Sequence, residues 1–459
     1  MNSLMEFTEP KYSRFRRILD LLSPFRLAVF LLLCLIFGGT SQDIVEPKLI
    51  LYILSLLIIG LCLTIKNSKD TLYKLKPLLI ILGLFLLGHI IYIIPLPSGI
   101  WSKLPGRQFI VDGYQILGAD LPWLPISISP EKSLFSLFDF LPPIALLLMI
   151  GNGVTFKEIE YTIRTIGFFA IGSVILGVLQ VTNVSDFYLY EITNRGSAVG
   201  FFSNANHFGL FLLMSIPLVI SLPSFLVDVH YDYSRRAFVF GIVCAVSALL
   251  GIGLTGSLGG FLLIVPVLVA TTFIWKSGEG RTSIYLISIL ASLVAAFLFD
   301  MFIWENLQSE ALDKISSTHA TDRQTMFVNT FNMSKDFLPL GTGPGSFPDM
   351  YKLVETATRK TVPHAHNEYI EMFLEFGIFS IIWIVATFIW IQRKVWRAFR
   401  VSGLYGKISK YFSIAIVTVM IHSFVDYSLR TIGVMTLLVF CLCVLVLFST
   451  QDRDLENHY

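Results

Sequence analysis

Residues 431–449 read TIGVMTLLVFCLCVLVLFS, nineteen positions without a charge. A helix needs about 20 apolar residues to cross a bilayer, and working back from this run the chain supplies more of them. Twelve apolar segments can be read, at about 27–40, 48–65, 77–95, 134–150, 160–180, 207–228, 237–254, 257–275, 283–303, 370–391, 411–425 and 431–449. Hydrophobic residues make up 54% of the 459 and charged ones 14%, against about 25% charged in a soluble globular chain. The mean hydropathy is +0.72. The expected fold is an all-α polytopic membrane protein of about 12 transmembrane helices. With 34 Lys and Arg against 32 Asp and Glu, there is no strongly basic surface, and a nucleic-acid partner is not expected.

Orientation follows from the basic residues. With the N-terminus inside, 22 of the 34 Lys and Arg fall in inner segments and 12 outside, six of these in one long loop. The bias predicts both termini to be cytoplasmic. Residues 1–26 then form a cytoplasmic segment, 27–303 carry helices one to nine, 304–369 are a long outer loop, 370–449 carry helices ten to twelve, and 450–459 are a cytoplasmic tail. The apolar stretch after residue 26 has no clear small-residue cleavage site and reads as a retained first span. Cys34, Cys62, Cys244, Cys441 and Cys443 all lie in apolar runs, so no disulfide scaffold is expected. The outer segments of useful length are 96–133, 182–206 and 304–369. The last is expected to pack on the bundle, with a helix over 322–335 followed by turns through LPLGTGPGSFP.

Polar residues gather in three outer blocks. NRGSAVGFFSNANHFG, residues 194–209, offers Arg195, Asn204, Asn206 and His207; it also reads as a capped juxtamembrane loop. Asp322 and Arg323 precede the glycines 341, 343 and 345, whose turn has no Gly-Lys-Ser/Thr ending and is no nucleotide P-loop. PHAHNEYIEMFLEFG, residues 363–377, is the sharpest. If His364 and His366 were helical they would point about 200° apart, and His366 would share a face with Tyr369, Ile370 and Phe373. Glu368, Glu371 and Glu375 would form a separate stripe. No third ligand supports a zinc site, and no metal is expected. Taken together, Arg195, Arg323 and His366 lie on one membrane side. Arginine can bind two phosphate oxygens of a diphosphate leaving group at once, and imidazole can take the proton of an attacking hydroxyl. Asp426 and Arg430, four apart, read as a local interface pair.

These residues bring a family into view. The chain resembles the O-antigen ligase and polysaccharide polymerase family of bacterial inner-membrane glycosyltransferases over about residues 77–449. His366–Asn367 is followed after nine residues by Gly377, with Ser380 where ligases carry Gly, Thr or Tyr. Arg323 with Phe327 resembles the loop motif of Arg, three residues and Leu. Pro339, Leu340, Gly341, Gly343, Gly345 and Phe347 match the element between them, and Gly200 to His207 resemble the stretch before a span. Where many members have Ser-Arg after the seventh span, this chain has Ser257-Leu258.

The resemblance implies a GT-C-like, metal-independent inverting enzyme without a cofactor, active at the periplasmic face. Its donor would be a glycan on undecaprenyl diphosphate. Its acceptor would be lipid A–core for a ligase, or the growing polysaccharide for a polymerase. On this reading His366 and His364 are the catalytic candidates, and Arg195, Arg323, Asn204, Asn206, His207 and Asn367 bind substrate. The competing class is a secondary transporter or lipid-linked glycan flippase, for which His89, His422 and Asp426 are the ionisable residues in or near spans.

Overall fold

A computed structural model describes residues 23–42, 46–64, 69–182, 186–226, 231–276, 320–354 and 362–450. Seventeen α-helices, numbered in order among these residues, account for most of them. They begin with α1 (Arg26–Phe37), α2 (Glu46–Thr64), α3 (Lys69–Ile91), α4 (Ser98–Trp101), α5 (Gln108–Ile116) and α6 (Pro130–Phe138). Next come α7 (Leu141–Gly151), α8 (Phe156–Val181), α9 (Ala205–Ile220), α10 (Tyr231–Thr255) and α11 (Leu258–Lys276). The last are α12 (Ala320–Asp336), α13 (Phe347–Tyr351), α14 (Glu368–Phe376), α15 (Ile378–Arg400), α16 (Gly403–His422) and α17 (Ile432–Phe448). Two short strands, β1 (Pro95–Leu96) and β2 (Leu124–Pro125), pair antiparallel, with Pro95 opposite Pro125.

The chain is an all-α polytopic membrane protein. Among the described residues, eight helical stretches are long and apolar enough to cross a membrane, and α1, α9 and α17 are shorter apolar helices. The ninth segment of the sequence reading, 283–303, lies outside the described residues, as do 304–319 and both terminal segments except residues 23–26 and 450.

Two helices form the centre. In α9 only Asn206 and Ile220 escape burial, and α17 is nearly as enclosed. A helix apolar all round is stable only when neighbours cover every face. Around α9 stand α8, α10, α11 and α16, and around α17 stand α1, α7 and α16. The start of each central helix is stitched to the end of α1: Ser203 donates its N–H to Gly39 O at 3.0 Å, and Gly433 to Gly38 O at 2.9 Å. At the opposite end Arg26 reaches Glu158 at 2.5 Å, where Thr155 and Glu158 form a capping box on α8. Between α2 and the α6–α7 junction a pair of the buried Lys48 with the half-buried Asp139, at 3.2 Å, is closed by the Tyr52 hydroxyl at 2.5 Å.

The tenth span differs from the expected 370–391. The chain breaks at Gly377 (φ +56), so that α14 is a short separate helix and the span itself is α15. A Cβ at Gly377 would stand 2.1 Å from Pro339 O, so only glycine allows this close turn. The physical reason for the break is in α14 itself: its acidic stripe has no place against lipid. The third span also starts earlier than expected, at Lys69, and the eleventh is Gly403–His422 rather than 411–425.

The Gly-rich turn is a clasp on α14. Thr342 and Gly343 donate their N–H groups to Leu374 O and Glu375 O, both at 2.9 Å, and Ile378 donates to Pro339 O at 2.9 Å. The last carbonyls of a helix have no partner within it, and here another segment supplies one. These amides are therefore spent on structure and do not cradle an anion. The expected helix over 322–335 is α12, which packs on α14. The 96–133 segment docks on the clasp, with Ile128 N–H on Thr342 O at 2.8 Å and the buried Arg107 guanidinium on Ile126 O and Gly341 O.

Candidate active site

The site is assembled where the segment before α14 meets residues 423–431, between the two last helices. Asn367 caps α14, its Oδ1 accepting from Tyr369 N at 3.0 Å and Ile370 N at 3.1 Å. Its Nδ2 donates to Phe424 O at 2.8 Å, and Glu368 N–H donates to Ser423 O at 3.0 Å. His366, just before this cap, has φ +50, the left-handed region. That conformation costs a residue with a Cβ on the order of 1 kcal/mol, and the stitching on either side holds it.

Because neither histidine is helical, the expected divergence of His364 and His366 does not arise. Both rings meet Tyr427, His364 at 4.1 Å between centroids and His366 at 5.0 Å; His207, from the first turn of α9, meets it at 4.9 Å. Asn204, the N-cap of α9, donates its Nδ2 to the Tyr427 hydroxyl at 3.2 Å, and Asn206 gives its backbone N–H to the Asn204 side chain. Gln180 sets the approach to that cap: its Oε1 accepts from Val199 N and Gly200 N at 2.9 and 2.8 Å.

Each of the two histidines faces a buried carboxylate. His364 Nδ1 lies 2.8 Å from Glu371 Oε1, while Glu371 Oε2 accepts from Ala365 N at 2.8 Å. His366 Nδ1 lies 3.5 Å from Asp426 Oδ1, and His207 Nε2 stands 3.7 Å from the same oxygen. These are ion-pair distances, too long for hydrogen bonds. Among the described residues, Asp426 Oδ2 and both His207 ring nitrogens have no hydrogen-bond partner. Burial alone would raise the Asp426 carboxyl, but the two facing imidazoles outweigh it and hold the group well below the ordinary carboxylate range. Burial likewise raises the Tyr427 phenol, and the Asp426 carboxylate raises it further. His364 and His366 keep 12% and 22% of their side-chain surface open, so a substrate can reach them.

Arg430 does not pair with Asp426, contrary to the local pair read from their spacing. It binds Glu368 at 2.8 Å and Glu375 at 2.9 Å and lies 3.6 Å from Glu371, gathering the acidic stripe of α14 around one guanidinium. Burial raises Glu368, and raises Glu375 to about 7 despite Arg430. Burial would also raise Glu371, but His364 and Arg430 overcome it and hold that carboxyl below its ordinary value. An apolar cavity of about 230 Å³ adjoins this cluster, lined by Phe85, Trp383 and Leu438 together with Glu368, Tyr369 and Arg430.

Of the arginines expected to bind an anion, Arg323 reaches the site edge, its Nη1 3.5 Å from Val425 O. Arg195 is engaged in its own exposed loop, by Asp186 at 2.9 Å and over the Tyr188 ring. The hydrogen bond from Arg195 holds the Asp186 carboxyl below its ordinary value. Leu258, where many family members carry arginine, is exposed at the start of α11.

Sequence reasoning gave Tyr427 and Glu371 no role in the site, and it read Asp426 and Arg430 as a local interface pair. One signal was present: three glutamates on one face of a short helix need a cation from elsewhere in the chain.

Residues 243–385 match the family model described as O-antigen ligase. Over these residues the chain is similar to the O-antigen ligase family. The matched stretch contains Arg323, His364, His366 and the whole of α14, and it ends before Asp426 and Arg430. No curated protein matches the chain.

Proposed function

We propose that this protein is an O-antigen ligase-family glycosyltransferase that moves a glycan from undecaprenyl diphosphate to an acceptor hydroxyl at the periplasmic face of the inner membrane, with both termini cytoplasmic. The observation that carries the reading is the pairing of His366 with a buried, ionised Asp426. It stands beside Tyr427 in a site that Arg323 borders at Val425 O. In the reaction, His366 takes the acceptor proton as the hydroxyl oxygen attacks the anomeric carbon from the face opposite the diphosphate. The bond from that carbon to the diphosphate oxygen breaks, the leaving group keeps the electron pair, and the configuration inverts. Asp426 stabilises the imidazolium that forms, as a buried carboxylate does behind a catalytic histidine.

Arg430 is occupied by three carboxylates, which leaves Arg323 to meet the developing diphosphate charge among the described residues of the site. Its planar fork suits two phosphate oxygens. Arg195, already neutralised by Asp186, is not assigned to the diphosphate. His207, Asn204 and Asn367 shape the pocket around Tyr427, and the apolar cavity offers a place for the isoprenoid chain.

The polymerase reading uses the same chemistry with the growing lipid-linked polysaccharide as acceptor. Purified protein in liposomes, given lipid-linked glycan and lipid A–core, tests both: one glycan per core supports the ligase, and a ladder on the carrier without core supports the polymerase. Movement of intact lipid-linked glycan with no new glycosidic bond would instead identify a flippase.

A further inference from the structure

The second imidazole–carboxylate pair, His364 with Glu371, has a geometry that determines where its proton sits. Glu371 Oε2 accepts from the Ala365 amide at 2.8 Å, and a backbone amide can only donate, so this oxygen is committed. The other oxygen, Oε1, lies 2.8 Å from His364 Nδ1, and an ionised carboxylate accepts only. Nδ1 must therefore carry a hydrogen. In the neutral ring the other nitrogen, Nε2, is then a bare acceptor. Nε2 meets no hydrogen-bond partner among the described residues, and the ring lies against Tyr427 beside His366.

We propose that Glu371 is a positioning residue that locks His364 in the Nδ1–H tautomer, so that Nε2 offers its lone pair to a sugar hydroxyl of the bound substrates. Orienting that hydroxyl beside His366 is a role distinct from taking the reacting proton. The inference rests on the glycosyltransferase reading for the identity of the hydroxyl, but not for the tautomer. Arg430 completes the device by balancing the buried Glu371 charge from 3.6 Å.

The substitution Glu371→Gln makes the idea testable because it nearly preserves shape. The Ala365 amide forces the new side-chain oxygen toward itself, so the NH₂ group faces His364 Nδ1. Nδ1 must then accept, and the hydrogen moves to Nε2, turning an acceptor toward the substrate into a donor. The test uses the full chain labelled with ¹⁵N-histidine in lipid nanodiscs at about pH 8. The His364 signals are identified by comparison with His364→Ala. The expected result is protonated Nδ1 in the wild type and protonated Nε2 in Glu371→Gln. Alongside it, kcat for glycan transfer should fall on the order of 100-fold, with KM for the lipid-linked donor little changed.

Protonated Nε2 in the wild type overturns the proposal without need of any variant. So does an unchanged tautomer in Glu371→Gln, or an inverted tautomer with near-normal turnover. The tautomer is read without substrate, so a wild type inactive in transfer would overturn the assigned reaction and leave the Glu371–His364 result standing.

Discussion

Tyr427 is the residue around which three histidines from two distant parts of the chain converge, and its neighbour Asp426 faces two of them. Replacing Asp426 with Asn removes the charge and keeps the size. Transfer should then fall on the order of 100-fold while the protein stays folded, since a positioned base with its orienting group contributes that order of rate. Turnover measured on Asp426→Asn decides whether that carboxylate takes part. The sequence pointed to His364, His366 and Arg323 because imidazole and guanidinium in segments read as outer are unusual in so apolar a chain. It could not place them. The left-handed backbone at His366 puts both rings on one tyrosine, and nothing in the spacing of PHAHN announces that conformation. Asp426 was visible, yet its spacing from Arg430 suggested the wrong partner, because long-range pairing overrides a four-residue interval.

At the scale of elements, α14 is an amphipathic plug whose acidic face closes on Arg430 and whose C-terminus is clasped by the 339–343 turn. Gly377→Ala should disrupt this junction: the new Cβ would meet Pro339 O at 2.1 Å, in a conformation that already disfavours a side chain. A loss of about 1–3 kcal/mol is expected, readable as a lower thermal transition in detergent. Arg430→Met should cost more, about 3–5 kcal/mol, because it leaves buried carboxylates without their counter-charge.

Glu375 adds a pH signature to this element. Burial raises its pKa to about 7 in the folded protein, against about 4.3 in an unfolded chain. The folded state therefore binds more protons than the unfolded one between those values. The contribution is fully present below the unfolded pKa and is lost as pH rises through about 7. Thermal scans of wild type and Glu375→Gln should differ in slope across that window, the variant losing this part of the decline. A parallel pair of curves would contradict the assignment. The short helix escaped the sequence reading because its apolar residues run straight into those of α15; only the positive φ at Gly377 divides them.

For the whole molecule, the recurrence of apolar runs was enough to identify an all-α membrane bundle, and the two most enclosed helices, α9 and α17, carry site residues at or just before their starts. What runs of hydrophobicity do not encode is which ends meet. That depends on polar stitches such as Gly38 to Gly433 and Gly39 to Ser203, between segments far apart in sequence. The five natural cysteines are buried, so single cysteines introduced at exposed Leu353 and Phe399 can report sidedness with an impermeant maleimide. The proposed orientation predicts labelling of intact inner-membrane spheroplasts at position 353 and not at 399, and the reverse pattern would invert it.

The most direct test of the central claim is transfer by purified, reconstituted protein. Wild type and His366→Ala would be given undecaprenyl-diphosphate-linked glycan and acceptor, with no membrane gradient. The account predicts glycosidic product and released carrier diphosphate from the wild type, and no transfer from a His366→Ala protein with unchanged thermal stability. Near-normal turnover by that variant would contradict it.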